Sequence, residues 1–184
     1  MAYVPTDERA EIQERASIAI GRGSLAVAEG RLEGALGGAL EASALRGSVG
    51  ADHPMFKQGL VLVVNAAAEL GDFSRIEQPF DAVRQLPPAR RPPVVTAQLA
   101  RYDAHLAARA GDGETAERRF RYAAELLREV GARFWLAIAL LENAETAPAD
   151  AEPLLAEARE IFERLEAAPW LERVERLQSE RTFA

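Results

Sequence analysis

The sequence contains no cysteine, which excludes disulfides, zinc–thiolate sites and thiol catalysis. Lysine is almost missing too: Lys57 stands alone and every other basic side chain is arginine. There are two histidines, His53 and His105, far apart and outside any H-x-x-x-H or H-E-x-x-H spacing, so no metal site is expected. A G-x-x-x-x-G-K-[ST] phosphate loop is absent, and no cofactor is expected. No stretch approaches the ~20 uninterrupted apolar residues of a membrane span. The N-terminal MAYVPTDERAE turns charged at once, unlike a signal peptide, and a cytoplasmic location is expected. Basic excess is lacking as well. The formal net charge of −7 speaks against direct nucleic-acid binding, which leaves a basic footprint.

Aromatic residues make up only 7% of a chain that is 48% hydrophobic, and Ala and Leu supply most of the rest. Ala is the best helix former, so this balance favours closely packed helices. The stretch Ala123 to Leu136, AAELLREVGARFWL, reappears 35 positions later as AREIFERLEAAPWL, Ala158 to Leu171. Ala116, Phe120 and Ala123 fall on Ala151, Leu155 and Ala158, and Trp135 falls on Trp170. An apolar pattern recurring at this distance, and helical inside each copy, marks stacked helix pairs.

The spacing predicts helices over about 7–28, 31–45, 55–70, 73–86, 94–110, 114–130, 134–147, 151–166 and 170–179. Turn signals at Gly30, Gly71 and Gly111 lie 41 and 40 residues apart. Five, nine and twelve positions after them stand Ala35, Ala39 and Ala42, then Ile76, Phe80 and Val83, then Ala116, Phe120 and Ala123. These offsets draw one stripe along the second helix of each pair. The expected fold class is all-α, a right-handed solenoid of about four antiparallel helix pairs in a single domain over 1–184. The repeats are 7–47, 54–88, 93–130 and 132–166, with a cap over 169–180.

The stripe resembles the small, aromatic and small positions of the tetratricopeptide repeat, with Pro88 at its closing proline and Gly23 at its first-helix glycine. The first-helix Trp and Tyr of that repeat are missing here, and the last repeat has TAPAD where a turn glycine would stand. ARFWLAIALLENAE and AEPLLAEAREIFERLEAAPWLER also resemble the C-terminal repeat tail of actinobacterial LuxR-type regulators and cyclase-linked signalling ATPases. That likeness implies a regulatory tail of a larger protein, or a stand-alone relative of one. The tetratricopeptide resemblance implies a concave groove lined by the first helices. Six positions before each turn glycine stand Ser24, Asn65 and His105; ten before stand Ile20, Val61 and Arg101. Repeats that clamp a peptide carboxylate carry Asn at the first place and a basic residue at the second, as Asn65 and Arg101 do. Gln58, Gln98, Arg109 and Arg133 would face the same side. The implied ligand is an acidic or C-terminal peptide held by charge-assisted hydrogen bonds.

Other candidates have plainer readings. GRGS at 21–24 interrupts a helical pattern instead of following a strand, so it reads as close helix packing, as do Gly34, Gly37 and Gly38. Such glycines weaken a helix by ~1 kcal/mol each relative to Ala, so the first pair is expected to be the softest. His53, in a loop before Pro54, reads as solvated. Carboxylates mostly precede an arginine by four positions, as in Glu114–Arg118, Glu117–Arg121, Glu160–Arg164 and Glu172–Arg176, which reads as a solvated helix face rather than a catalytic pair. LPPARRPP lacks P-x-x-P spacing and reads as a stiff, extended connector. Trp135 and Trp170 read as wedges between successive pairs. The resulting expectation is a non-catalytic protein-interaction or regulatory module without cofactor. The alternative is a small-molecule sensor that binds an effector in the groove.

Overall fold

The computed structural model describes residues 6–28, 31–44, 53–146 and 151–182. Among them the chain forms nine helices and two short 3-10 turns, with no strand. The helices are α1 (Thr6–Ala28), α2 (Leu32–Ala44), α3 (Pro54–Leu70), α4 (Glu77–Arg84), α5 (Pro93–Arg109), α6 (Gly113–Glu129), α7 (Arg133–Thr146), α8 (Ala151–Arg164) and α9 (Ala168–Thr182). None of these helices is long and apolar enough to cross a membrane. The turn expected at Gly30, the loop over 47–52 and the TAPAD turn from Ala147 onward lie outside the described residues. The chain divides into two compact units, residues 1–99 and 100–184. The division falls inside α5, not at a linker.

In the first unit α1 packs on α2, α2 on α3, and α1 also reaches α3. Ala19 and Ile20 of α1 meet Met55 and Leu62 of α3. Contact between α1 and α2 is backbone against backbone. A Cβ on Gly38 would stand 2.7 Å from the Ala19 carbonyl oxygen and 3.1 Å from the Gly23 nitrogen. Close packing therefore accounts for Gly23 and Gly38. It does not account for Gly21 or Gly37, where an added Cβ would meet nothing within 4 Å.

His53 is not a free loop residue. Its ring Nδ1 accepts a hydrogen bond from the Met55 N–H at 3.3 Å, capping α3 just ahead of Pro54. The single helix expected over 73–86 is broken into a 3-10 turn, Ser74–Ile76, and α4. Pro79 has no N–H to give to the Arg75 carbonyl, so a regular helix cannot run through from residue 74. The proline-rich connector is not extended throughout either, because Pro88–Arg90 form a second 3-10 turn. Arg91 fastens that turn to the end of α4, donating to the Leu86 carbonyl at 2.8 Å and the Arg84 carbonyl at 2.7 Å. A C-terminal arginine that takes up the last free carbonyls is a common way to finish a helix.

In the second unit α6 packs on α7, α7 on α8, and α8 on α9. The stripe positions predicted from the offsets are core. Ala116, Phe120 and Ala123 are fully buried, as are Ala151 and Ala158, and Leu155 nearly so. In the first unit Ala35, Ala39, Ile76, Phe80 and Val83 are buried likewise. Burying a side chain of Phe size is worth roughly 1.5–3 kcal/mol, so this stripe carries much of the stability. α7 differs from its neighbours. Every residue from Leu136 to Ala144 is buried.

Candidate functional site

Two arrangements in the second unit gather polar groups, and both are built on α7. The first lies inside the protein. α7 carries Glu142 in the midst of its apolar run, and the side chain is buried with 4% exposure. A lone carboxylate there needs a counter-charge, and α5 provides one. Arg101, fully buried, donates from Nε to Glu142 Oε2 at 2.8 Å and from NH2 to Oε1 at 2.6 Å. His105, one turn further along α5, places Nε2 3.3 Å from Oε1 and sets its ring edge-on to Phe120 at 5.0 Å. Burial pushes the Glu142 pKa upward, but the charges of Arg101 and His105 and their hydrogen bonds outweigh it. The carboxyl is held well below the usual carboxylate range. Arg101 and Glu142 are closed to solvent and, with the mostly buried His105, tie α5 to α7.

The second arrangement is open. A groove runs over α7 between the walls made by α6 and α8. At one end it encloses about 250 Å³ over Leu140 and Asn143, with Ala124 and Arg128 on one side and Leu154 and Glu157 on the other. At the other end about 300 Å³ lies over Arg133 and Leu136. Arg128 and Glu157 line both ends, and they pair across the groove at 2.8 and 3.0 Å. Asn143 is 96% buried, yet its Oδ1 has no hydrogen-bond partner among the described residues. A neutral acceptor left so costs about 1–3 kcal/mol.

The candidate peptide-binding residues scatter across these features. Gln58 is exposed on α3, and Asn65 is half-buried on the same helix. Gln98 and Arg101 are fully buried on α5, His105 is mostly buried, and Arg109 is exposed in its last turn. Arg133 is exposed in the first turn of α7. Asn65 and Arg101 belong to different compact units. Arg101 does not present its guanidinium to solvent as a carboxylate clamp requires, since Glu142 occupies it. The structure does bring Arg101 and His105 together, through a residue that the spacing argument passed over. The signal for Glu142 was present: it is the one acid in WLAIALLEN, an apolar run with no arginine four positions on.

The remaining carboxylates behave more nearly as read. Glu114–Arg118, Glu117–Arg121 and Glu160–Arg164 pair on exposed faces, while Glu172 and Arg176 form no pair. Less foreseeable are bridges between helices, in which Arg173 of α9 grips Glu145 of α7 at 2.7 and 2.9 Å. The aromatic wedge is also rearranged. Trp170 stacks on Phe162 at 5.7 Å and meets Phe134 edge-on at 5.9 Å, so Phe134, not Trp135, is its partner on α7. GRGS sits in the middle of α1, away from the helix N-terminus where a phosphate would bind. No three His, Asp or Glu side chains gather as a metal site would need among the described residues.

Compared with known proteins, the chain matches no protein-family model and no curated sequence.

Proposed function

We propose that the chain is a tetratricopeptide-like helical array that works without catalysis as a protein-interaction or regulatory module. On this reading it is the tail, or a stand-alone relative, of a bacterial signalling ATPase or transcriptional regulator, and it acts in the cytoplasm. The observation that carries the reading is the equivalence of α6 and α8. Ala116, Phe120, Ala123 and Leu127 match Ala151, Leu155, Ala158 and Phe162 in position, and all eight are buried. Each helix then ends on a left-handed residue, Gly131 at φ 69° and Glu166 at φ 52°. Helices repeated in this way, with a third laid between them, leave a long surface groove in place of an enclosed pocket, and such grooves suit peptide partners.

The test is to crosslink the tagged full chain in its host, identify what is captured, and rebuild the complex from purified components. Binding at micromolar strength or tighter, with no metabolite from a broad panel raising the melting temperature, is the expected result. A metabolite that raises the melting temperature by several degrees, with no protein partner reconstituted, would establish the effector-sensor alternative instead.

A further inference from the structure

The floor of the α6–α8 groove is one stripe of α7: Arg133, Leu136, Leu140 and Asn143. Their spacing of three, four and three places them along a single helix face. The stripe is polar at both ends and apolar between, and each polar end can take a further hydrogen bond. Arg133 is exposed and has no ionic partner among the described residues. Asn143 carries a buried amide oxygen without a donor. Between them, Leu136 and Leu140 form a buried apolar floor, 5% and 3% exposed.

We infer that this groove is a binding site for an extended, carboxylate-bearing peptide segment. The inference rests on the interaction-module reading and deepens it by naming the surface and the ligand. Asn143 and Arg133 are ten positions apart, which at 1.5 Å per residue is about 15 Å along α7. An extended chain rises about 3.3 Å per residue, so four or five peptide residues span that distance. Asn143 presents the same acceptor and donor pair as a peptide bond, and main-chain N–H satisfies its oxygen. Arg133 takes the carboxylate of an acidic side chain or a chain terminus by paired, charge-assisted hydrogen bonds. The bridge from Arg128 to Glu157 crosses the groove midway, but it is half-exposed, 49% and 38%. Such pairs are weak, so the bridge opens at little cost to admit a main chain.

The test uses the full chain against a displayed library of random peptides, with recovered peptides resynthesised and measured by fluorescence anisotropy. Expected binders carry Asp, Glu or a free C-terminus, and each loses about tenfold or more of its affinity in Asn143→Ala and in Arg133→Glu. Asn143→Ala removes an acceptor that has no partner, so its melting temperature should stay close to the parent's. Arg133→Glu lies on the surface and is indifferent to folding. Recovery of no peptide would overturn the proposal, as would binders indifferent to both substitutions or a collapse of the fold in Asn143→Ala. Binders indifferent to both would leave the interaction-module reading standing with its site elsewhere. That reading fails separately, if no complex can be rebuilt with a host protein.

Discussion

Arg101 and Glu142 show what a single side chain contributes in this molecule. Taking one charge away leaves the other buried without its main partner, a loss of about 3–5 kcal/mol. Replacing both with apolar residues of similar size removes two desolvation costs along with the attraction, and is often neutral or stabilising by about 1–4 kcal/mol. Arg101→Met is therefore expected to be strongly destabilised in urea unfolding, and Arg101→Met with Glu142→Leu to recover most of the loss. A double variant as unstable as the single would mean the pair matters through packing alone. The same pair sets a pH dependence. The folded-state pKa of Glu142 is depressed by Arg101 and His105 against the opposing effect of burial. Its contribution is thus complete above the ordinary glutamate value of about 4.3 and is lost as the pH falls below it. Melting curves from neutral pH to about pH 3 should show an acid-side loss in the parent that is smaller in Glu142→Gln. Equal losses in the two proteins would remove Glu142 from the account.

Helix ends illustrate how an element is specified. After α6 the Gly131 N–H bonds the Arg128 carbonyl and the Ala132 N–H bonds the Leu127 carbonyl, at 3.1 and 2.9 Å. After α8, 35 positions on, Glu166 and Ala167 repeat both bonds to Glu163 and Phe162, at 3.1 and 3.0 Å. This closing turn requires a left-handed residue. Glycine takes that conformation freely, while a residue with a Cβ is strained by roughly 1–2 kcal/mol. Part of that gain is offset by the extra freedom of glycine in the unfolded chain. Glu166→Gly is expected to stabilise the protein by about 0.5–1 kcal/mol, read as a rise of a few degrees in melting temperature. A fall would show that the Glu166 side chain is needed there.

Most helices were legible in the sequence because apolar spacing and turn residues agree along the chain. The stripe offsets found Ile76, Phe80, Phe120 and Ala123 as core for the same reason. Less legible were features that depend on one residue meeting a distant one. Pro79, seventh in the helix expected over 73–86, has no N–H for the Arg75 carbonyl, and the helix is broken ahead of it. Arg101 looks like a groove residue from its distance to Gly111, yet Glu142, 41 positions away, draws it inside. No local pattern reveals such a pairing. The groove over α7 was legible in part: Arg133 was read as facing a groove, but Asn143 was not, because a buried amide oxygen without a donor shows only once the helices are packed.

At the scale of the whole molecule, charge is spent in two ways. Among the described residues buried charge is confined to the Arg101–Glu142 pair, while arginine bridges such as Arg75 to Glu33 and Arg173 to Glu145 join neighbouring elements at the surface. Exposed pairs contribute about 0–1 kcal/mol each, so they fix register more than they hold the fold. What a partner meets, on this account, is the two walls of the groove, Arg133 and the Asn143 amide at its ends. Hydrogen exchange on the full chain, alone and in its reconstituted complex, tests that claim most directly. The account predicts slowed exchange concentrated in α6, α8 and both ends of α7, with α1 and α2 unchanged. Protection confined to α1 and α2, or spread evenly over the chain, would contradict it.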